Sequence, residues 1–297
     1  MNLSSWLTNF PELNQSKLIS MRKFLDSSYL EFSRNYGESI EQFFDPLLTF
    51  IIWFERCLVS APWLLMLLFL ITLTYLLSRS VKLSFSVAFA LIFIGIFGMW
   101  KDTMETISLI AVSTCLVIII GIPMGILMSR YKRLHASITP ILDVMQTMPA
   151  FVYLIPVVML LGIGRIPGLI AVTIYAIPPV IRLTCLGIQL VEKEVIEAAE
   201  SFGCNSFQKL MKVQIPLALP NIMAGINQTI MLSLSMVVIA SMIGVKGLGQ
   251  PILKSISNQY FTMGLLNGLA IVFIAIIMDR VTQSYARRKQ SYIRKIT

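Results

Sequence analysis

Ionisable side chains are scarce in this chain of 297 residues: Asp, Glu, Lys and Arg make up 13% of it. A soluble globular domain carries about 25%. With 56% apolar residues and a mean hydropathy of +0.79, too little polar surface remains to clothe a water-soluble particle of this size. A soluble enzyme, a disordered tail and a disulfide-rich secreted domain are thereby excluded. Histidine is nearly absent. His135 is the single one, expected to be a solvated loop residue, so the constellations of a membrane-embedded enzyme or a metal centre are missing. The four cysteines, Cys57, Cys115, Cys185 and Cys204, have neither CxxC nor zinc-type spacing, and are expected to be reduced packing residues. No P-loop occurs. Gly244-Val245-Lys246-Gly247-Leu248-Gly249 holds a lysine but lacks the spacing and the following Ser or Thr, so the chain is not expected to hydrolyse ATP. Carboxylates are missing from the middles of the apolar runs. Asp143 and Asp279 fall near run ends, which argues against an ion-coupled carrier; Asp143 is expected to pair with a loop arginine. Met1 to Glu12 has no basic segment leading into an apolar one, so no signal peptide is expected. There is no internal repeat.

What the chain does have is long uncharged runs. They cover 57–78, 83–100, 106–129, 144–164, 166–181, 213–245 and 255–278. About 20 helical residues cross a hydrocarbon core of roughly 30 Å, and only helices or closed barrels satisfy the backbone in lipid. The runs are too long for barrel strands. The reading is an all-α integral membrane protein with about seven transmembrane helices, the fifth reaching spanning length only if Arg182 snorkels at its end.

Formal charge is +9, which reflects loop bias rather than nucleic-acid binding. Arg79, Lys82, Arg130, Lys132, Arg133, Lys193, Lys209, Lys212, Arg280, Arg287, Arg288, Lys289, Arg294 and Lys295 fall on one side of the predicted spans. Only Lys101, Arg165, Lys246 and Lys254 fall in the opposite short loops. The richer side is expected to be cytoplasmic. That puts the C-terminus inside and segment 1–56 outside. The chain then divides into an extracytoplasmic or interfacial segment 1–56, a transmembrane domain 57–283 and a basic cytoplasmic tail 284–297. Within 1–56, the apolar stretch 47–54 fits either an amphipathic helix lying at the outer interface or a short helix packed on its own bundle.

Prolines 149, 156, 178 and 179 and glycines 121, 125, 162 and 164 punctuate the middle spans, marking kinks or close approaches. The methionines read as packing or lipid-facing groups, not a copper site.

The loop 191–216, between the fifth and sixth runs, holds most of the patterned chemistry. Val191, Val195, Ala198, Ala199 and Phe202 share one helical face, and Glu192, Lys193, Glu194, Glu197 and Glu200 the other. Gly203 is a left-handed stop. Asn205 with Gln208 forms a capping-box pattern, followed by a second short helix over 207–213 that Pro216 is expected to end. The product is a compact knob suited to a groove on another protein; a loop lying along the lipid headgroups fits the same residues.

Glu197-Ala198-Ala199, three residues, Gly203, nine residues, then Val213-Gln214-Ile215-Pro216 resembles the EAA loop of permease subunits of binding-protein-dependent ABC importers. Val213 and Ile215 stand where that pattern has Ile and Leu. Stretches 146–164, 177–188, 212–244 and 247–253 resemble the permease of the glycine betaine/proline (ProW-type) uptake family, a likeness covering about 100–280.

The resemblance implies the permease fold of a type I importer in a bacterial cytoplasmic (inner) membrane. It implies ATP-driven, alternating-access import of small zwitterionic or quaternary-ammonium osmolytes: glycine betaine, proline betaine, choline, carnitine or trimethylamine N-oxide. ATP and Mg belong to a partner ATPase present in two copies, and the chain carries no cofactor of its own. A second copy of the chain and an extracytoplasmic substrate-binding protein complete the assembly; the chain ends at Thr297, too early for a fused receptor. Glu197, Ala198, Ala199, Gly203, Val213, Ile215 and Pro216 would couple to the ATPase. Gln146, Thr147, Asn227, Gln228, Thr229, Ser233 and Ser235 are polar residues within the spans and are expected to line the solute path or to bond between helices. A secondary transporter or channel not coupled to ATP is the alternative.

Overall fold

The computed structural model describes residues 13–294. Met1 to Glu12, where no signal peptide is expected, and Lys295 lie outside the described residues. Every regular element among the described residues is helical.

Helix α1 runs Gln15–Ser60, with Asn14 capping its start. Ala61 and Pro62 are extended (ψ 142° and 128°), because the ring of a proline pushes the residue before it out of the helical region. Helix α2, Trp63–Ser78, therefore leaves at 107° to α1. Ser80 caps α3, Val81–Ile96, by accepting the N–H of Leu83 at 3.4 Å. Helix α4 is Trp100–Arg130 and α5 is Lys132–Thr147. Met148-Pro149 repeats the extended break, and α6, Ala150–Leu161, turns 101° from α5. Helices α7, Arg165–Ala176, and α8, Pro178–Gln189, together form one crossing-length unit. Then follow α9 (Lys193–Ser201), α10 (Ser206–Lys209), a π turn (Leu210–Gln214), α11 (Ile215–Ala240), α12 (Gly249–Asn258) and α13 (Phe261–Arg294).

All seven predicted runs are helical, but among the described residues only four units are long and apolar enough to cross a membrane as unbroken rods: Trp100–Arg130, Arg165–Gln189, Ser206–Ile243 and Phe261–Arg288. Four runs differ from the expectation. The first is broken at Ala61-Pro62, and its opening residues belong to α1. The second is α3, apolar but 16 residues long. The fourth is broken at Met148-Pro149, leaving α6 with 12 residues, short of a crossing. The seventh run also begins too early, since Ser255 ends inside α12 and Gln259 (φ 58°) turns the chain before Phe261. The proposed boundaries at 56/57 and 283/284 fall inside α1 and α13 respectively.

The core lies where α4, α7, α8, α11 and α13 meet. Leu109, Ile110, Leu169, Val172, Leu234, Val237 and Ile274 are buried there. Two glycines set the helix spacing. A Cβ on Gly125 of α4 would lie 2.7 Å from the Ile181 carbonyl of α8, and one on Gly187 of α8 would lie 2.8 Å from Asn221 Cβ of α11. Small residues of this kind let membrane helices approach backbone to backbone, where dispersion replaces the hydrophobic drive that lipid does not supply.

Helix α1 packs on this bundle. Tyr29 donates to the Pro156 carbonyl at 2.6 Å, Ile51 and Leu58 are buried, and Glu55 pairs with Arg165 at 2.8 Å. A second apolar strip on α1, with Phe32, Phe43, Phe50 and Trp53, points away from the bundle. The helix therefore has a packed face together with an outward apolar one.

Candidate functional site

The 191–216 loop is built by local chemistry. Helix α9 ends in a Schellman arrangement: the Cys204 N–H bonds the Ala199 carbonyl at 3.1 Å, and the Gly203 N–H bonds the Glu200 carbonyl at 2.9 Å. Gly203 has φ +78°, a conformation that costs a side-chain-bearing residue about 1–2 kcal/mol. Asn205 then caps α10. Its side chain accepts the Gln208 N–H at 2.8 Å, and the Gln208 side chain accepts the Asn205 N–H at 3.0 Å. Lys209 pairs with Glu200 across the corner. Arg130 at the end of α4 donates to the Ser206 carbonyl at 3.0 Å, fixing the loop to the bundle.

The second short helix of the loop does not end at Pro216, although α10 itself closes at Lys209. The chain passes through the π turn, where the Ile215 N–H reaches back five residues to the Leu210 carbonyl, and continues directly as α11. Proline is tolerated at the first turn of a helix because its missing N–H is one that needs no partner there. The predicted separate second helix is thus the root of the sixth crossing. Val213 and Ile215 are half-buried at that root, Ile215 against Ile188, Leu210, Ala218 and Ile222. Ala199 is buried, while Glu197 and Ala198 are exposed. Around them Phe202 is 90% and Phe207 68% exposed, so an apolar surface on the knob has no cover among the described residues.

The polar candidates divide by environment. Gln146 and Thr147 sit exposed at the end of α5, where Thr147 bonds the Val144 carbonyl of its own helix. Thr229 is fully buried and donates to the Ala176 carbonyl at 2.7 Å, at the α7–α8 junction. Ser233 is buried with no hydrogen-bond partner among the described residues. Gln228 and Ser235 lie on the exposed side of α11 in line with Leu217, Ala224, Met231 and Met242. Asn227 donates to Asp279 of α13 at 2.6 Å.

Asp143 pairs with Arg182, a helix residue of α8 rather than a loop one. His135 lies within α5, half-buried, not in a loop. All four cysteines are free; Cys57 and Cys115 are exposed rather than packed, Cys204 is half-buried and Cys185 buried.

Two features are not visible in the sequence. Asp279 reads there only as a span-end charge, yet it joins Asn227 to Gln283, whose side chain donates to it at 2.7 Å. Glu105 is a buried carboxylate, 6% exposed, at the start of α4. Charge-free runs exclude such residues by construction, so the contacts of Asp279 and the burial of Glu105 are visible only once helices are assembled.

Residues 117–291 match the family described as "Binding-protein-dependent transport system inner membrane component". The chain is 52% identical over 202 residues to the glycine betaine/proline betaine transport system permease protein ProW of Escherichia coli K12, a match covering 68% of this chain and 57% of that one. It thus spans little more than half the length of that relative. It is 45% identical over 234 residues to the glycine betaine/carnitine transport permease protein GbuB of Listeria monocytogenes, covering 77% of this chain and 82% of that one. Among solved structures, an inward-facing form of the MetNI methionine ABC transporter superposes with a TM-score of 0.58 at 20% identity, covering 65% of this chain and 97% of that chain. That last likeness is one of fold.

Proposed function

The chain belongs to the family of binding-protein-dependent transport system inner membrane components, and from that membership we propose that it forms the solute path of an ATP-driven importer of small zwitterionic or quaternary-ammonium osmolytes. Its fold is all-α, that of a type I ABC importer permease. The observation that carries the coupling reading is the continuity of the knob with α11. A displacement of α10 passes through the π turn into a helix that crosses the bundle with no loop between them, and α9 is tied to α10 across the Gly203 corner by the Lys209–Glu200 pair.

In this reading an ATPase seats on the knob, with Glu197, Ala198 and Ala199 at the contact, Gly203 setting its corner, and Val213, Ile215 and Pro216 transmitting the movement. One knob per chain fits a two-copy ATPase under a two-fold dimer of this chain. The outward face of α11 supports the second copy. Gln228 is exposed on it, and a polar group facing hydrocarbon is costly, so this face meets protein or a water-filled path; Ser235 beside it bonds the Met231 carbonyl of its own helix. The basic side, with the knob and the C-terminus, is cytoplasmic, and a separate binding protein delivers solute to the opposite mouth. ATP and Mg are held by the ATPase. Alternating access follows when ATP closure pulls the two knobs together and tips the equilibrium between two packings of the crossing helices. The ProW and GbuB names put betaines first among the solutes; choline, carnitine and trimethylamine N-oxide share the same cationic or dipolar head. The outward apolar strip of α1 suits the outer membrane interface.

The experiment is uptake of glycine betaine by proteoliposomes holding the chain, its co-purifying ATPase and a loaded binding protein. Ala199→Arg and Gly203→Pro should each abolish uptake while leaving membrane insertion intact. Uptake retained by either variant, or uptake with no ATPase present, would overturn the proposal.

A further inference from the structure

Between α11 and α13, near the root of α11, lies an open-sided cavity of about 480 Å³. Small-ligand sites commonly enclose about 300–1,000 Å³. Its wall includes Asn227, Gln228, Met231, Gln283 and Arg287. Asp279 stands behind that wall, 16% exposed, and its Oδ1 accepts both the Asn227 amide at 2.6 Å and the Gln283 amide at 2.7 Å.

This arrangement decides which end of each amide is left for the cavity. An ionised carboxylate only accepts hydrogen bonds. Both amides must therefore turn their NH₂ groups to Asp279 and their carbonyl oxygens away from it. Asn227 Oδ1 is buried with no hydrogen-bond partner among the described residues. The Asn227 oxygen lies beneath the wall, while the Gln283 amide and the polarisable Met231 thioether line the cavity together with one exposed guanidinium, Arg287, opposite in sign.

A quaternary ammonium has no N–H to donate. It is stabilised by oxygen acceptors and soft apolar surface, whereas a carboxylate needs donors such as a guanidinium. We propose that this cavity is a transient site for a small zwitterion, its trimethylammonium end toward the amide oxygen of Gln283 and the Met231 thioether and its carboxylate toward Arg287. Asp279 is then a positioning residue that fixes both amides through Oδ1, while its Oδ2 faces the Arg280 guanidinium at 3.9 Å. The site rests on the osmolyte-permease reading for its natural solute. A choline headgroup of a lipid carries the same cation, so the test uses membranes without choline lipids.

The test places a cysteine at Met231, in the cavity wall, in the full complex in nanodiscs of phosphatidylethanolamine and phosphatidylglycerol. Met242→Cys, exposed in the 3-10 turn just beyond the far end of α11, is the control, and the unsubstituted chain sets the background from its native cysteines. At position 231 a trimethylammonium thiosulfonate should react about tenfold faster, relative to a sulfonate one, than at 242, a ratio set by local charge. Free glycine betaine should slow labelling at 231 and not at 242. Asp279→Asn should erase the charge preference. Should that variant fail to assemble, Arg287→Gln serves instead: protection by glycine betaine is lost while protection by choline remains. Labelling at 231 that ignores reagent charge, or that glycine betaine does not slow, overturns the site even if uptake is intact. Selective, protected labelling without ATP-driven uptake upholds the site and overturns the import reading instead.

Discussion

Arg165, the first residue of α7, holds Glu55 of α1 at 2.8 Å, with the two side chains 25% and 15% exposed. The N-terminal helix is thereby tied to the core more than a hundred residues away, at the end of the bundle opposite the knob. Partial burial raises the value of this pair above that of a surface ion pair, and removing one partner leaves a carboxylate with little water. Arg165→Ala should destabilise the folded chain by about 1–3 kcal/mol. A lower thermal midpoint of the detergent-solubilised complex would register it. The charge-reversed pair Glu55→Arg with Arg165→Glu should recover part of the loss.

The corner of the knob predicts a graded series. Gly203 has φ +78°, and a Cβ added there would meet nothing within 4 Å, so the cost of a substitution is conformational rather than steric. Gly203→Ala should retain most ATP-driven uptake at a cost of about 1–2 kcal/mol in the loop. Gly203→Asn should do better than Ala, because Asn visits the left-handed region readily, and Gly203→Val worse. Uptake that follows side-chain size without regard to left-handed propensity would contradict this account.

The seam between α4, α8 and α11 predicts the opposite behaviour. A Cβ on Gly125 meets the Ile181 carbonyl at 2.7 Å and Thr184 at the same distance. Backbone cannot yield as a flexible side chain can, so the helices must separate. Gly125→Leu should cost about 3 kcal/mol or more and reduce the yield of folded chain in size-exclusion profiles, rather than produce a folded but inactive permease.

Thr229 and Gln228 are neighbours in sequence with different neighbours in space. Thr229 donates to the Ala176 carbonyl inside the bundle, while Gln228 faces outward on α11 and lines the cavity. Thr229→Val keeps the volume and loses one hydrogen bond, so it should lower stability by about 1 kcal/mol with the solute preference of uptake unchanged. Gln228→Leu should leave stability nearly unchanged and alter uptake. Competition by choline, carnitine and glycine betaine against labelled solute separates the two.

Much of the site is legible in the order of residues alone. The Glu197-Ala198-Ala199 and Gly203 spacing, the Asn205 cap with Gln208 and the amphipathic face of α9 are local features, set by residues within a turn or two of each other, and local bonds form the same way wherever the segment is placed. The path candidates are less legible. Polarity within an apolar run marks a residue that avoids lipid, but the same side chain serves equally well as an interhelical bond, as at Thr229, or as an open wall, as at Gln228.

Composition, run lengths and charge bias are enough to establish a helical membrane protein with a patterned loop, since the water–hydrocarbon balance acts on each segment separately. Where the axes turn is settled only by assembly. Ala61-Pro62 and Met148-Pro149 break their helices, whereas Pro123, Pro140, Pro156 and Pro220 remain inside α4, α5, α6 and α11. A proline frees a carbonyl and biases the residue before it, but whether the helix breaks depends on the neighbours that pack against the bend. The bond between Asn227 and Asp279, 52 residues apart, belongs to the same class: it exists because α11 and α13 lie side by side, and no spacing along the chain encodes it.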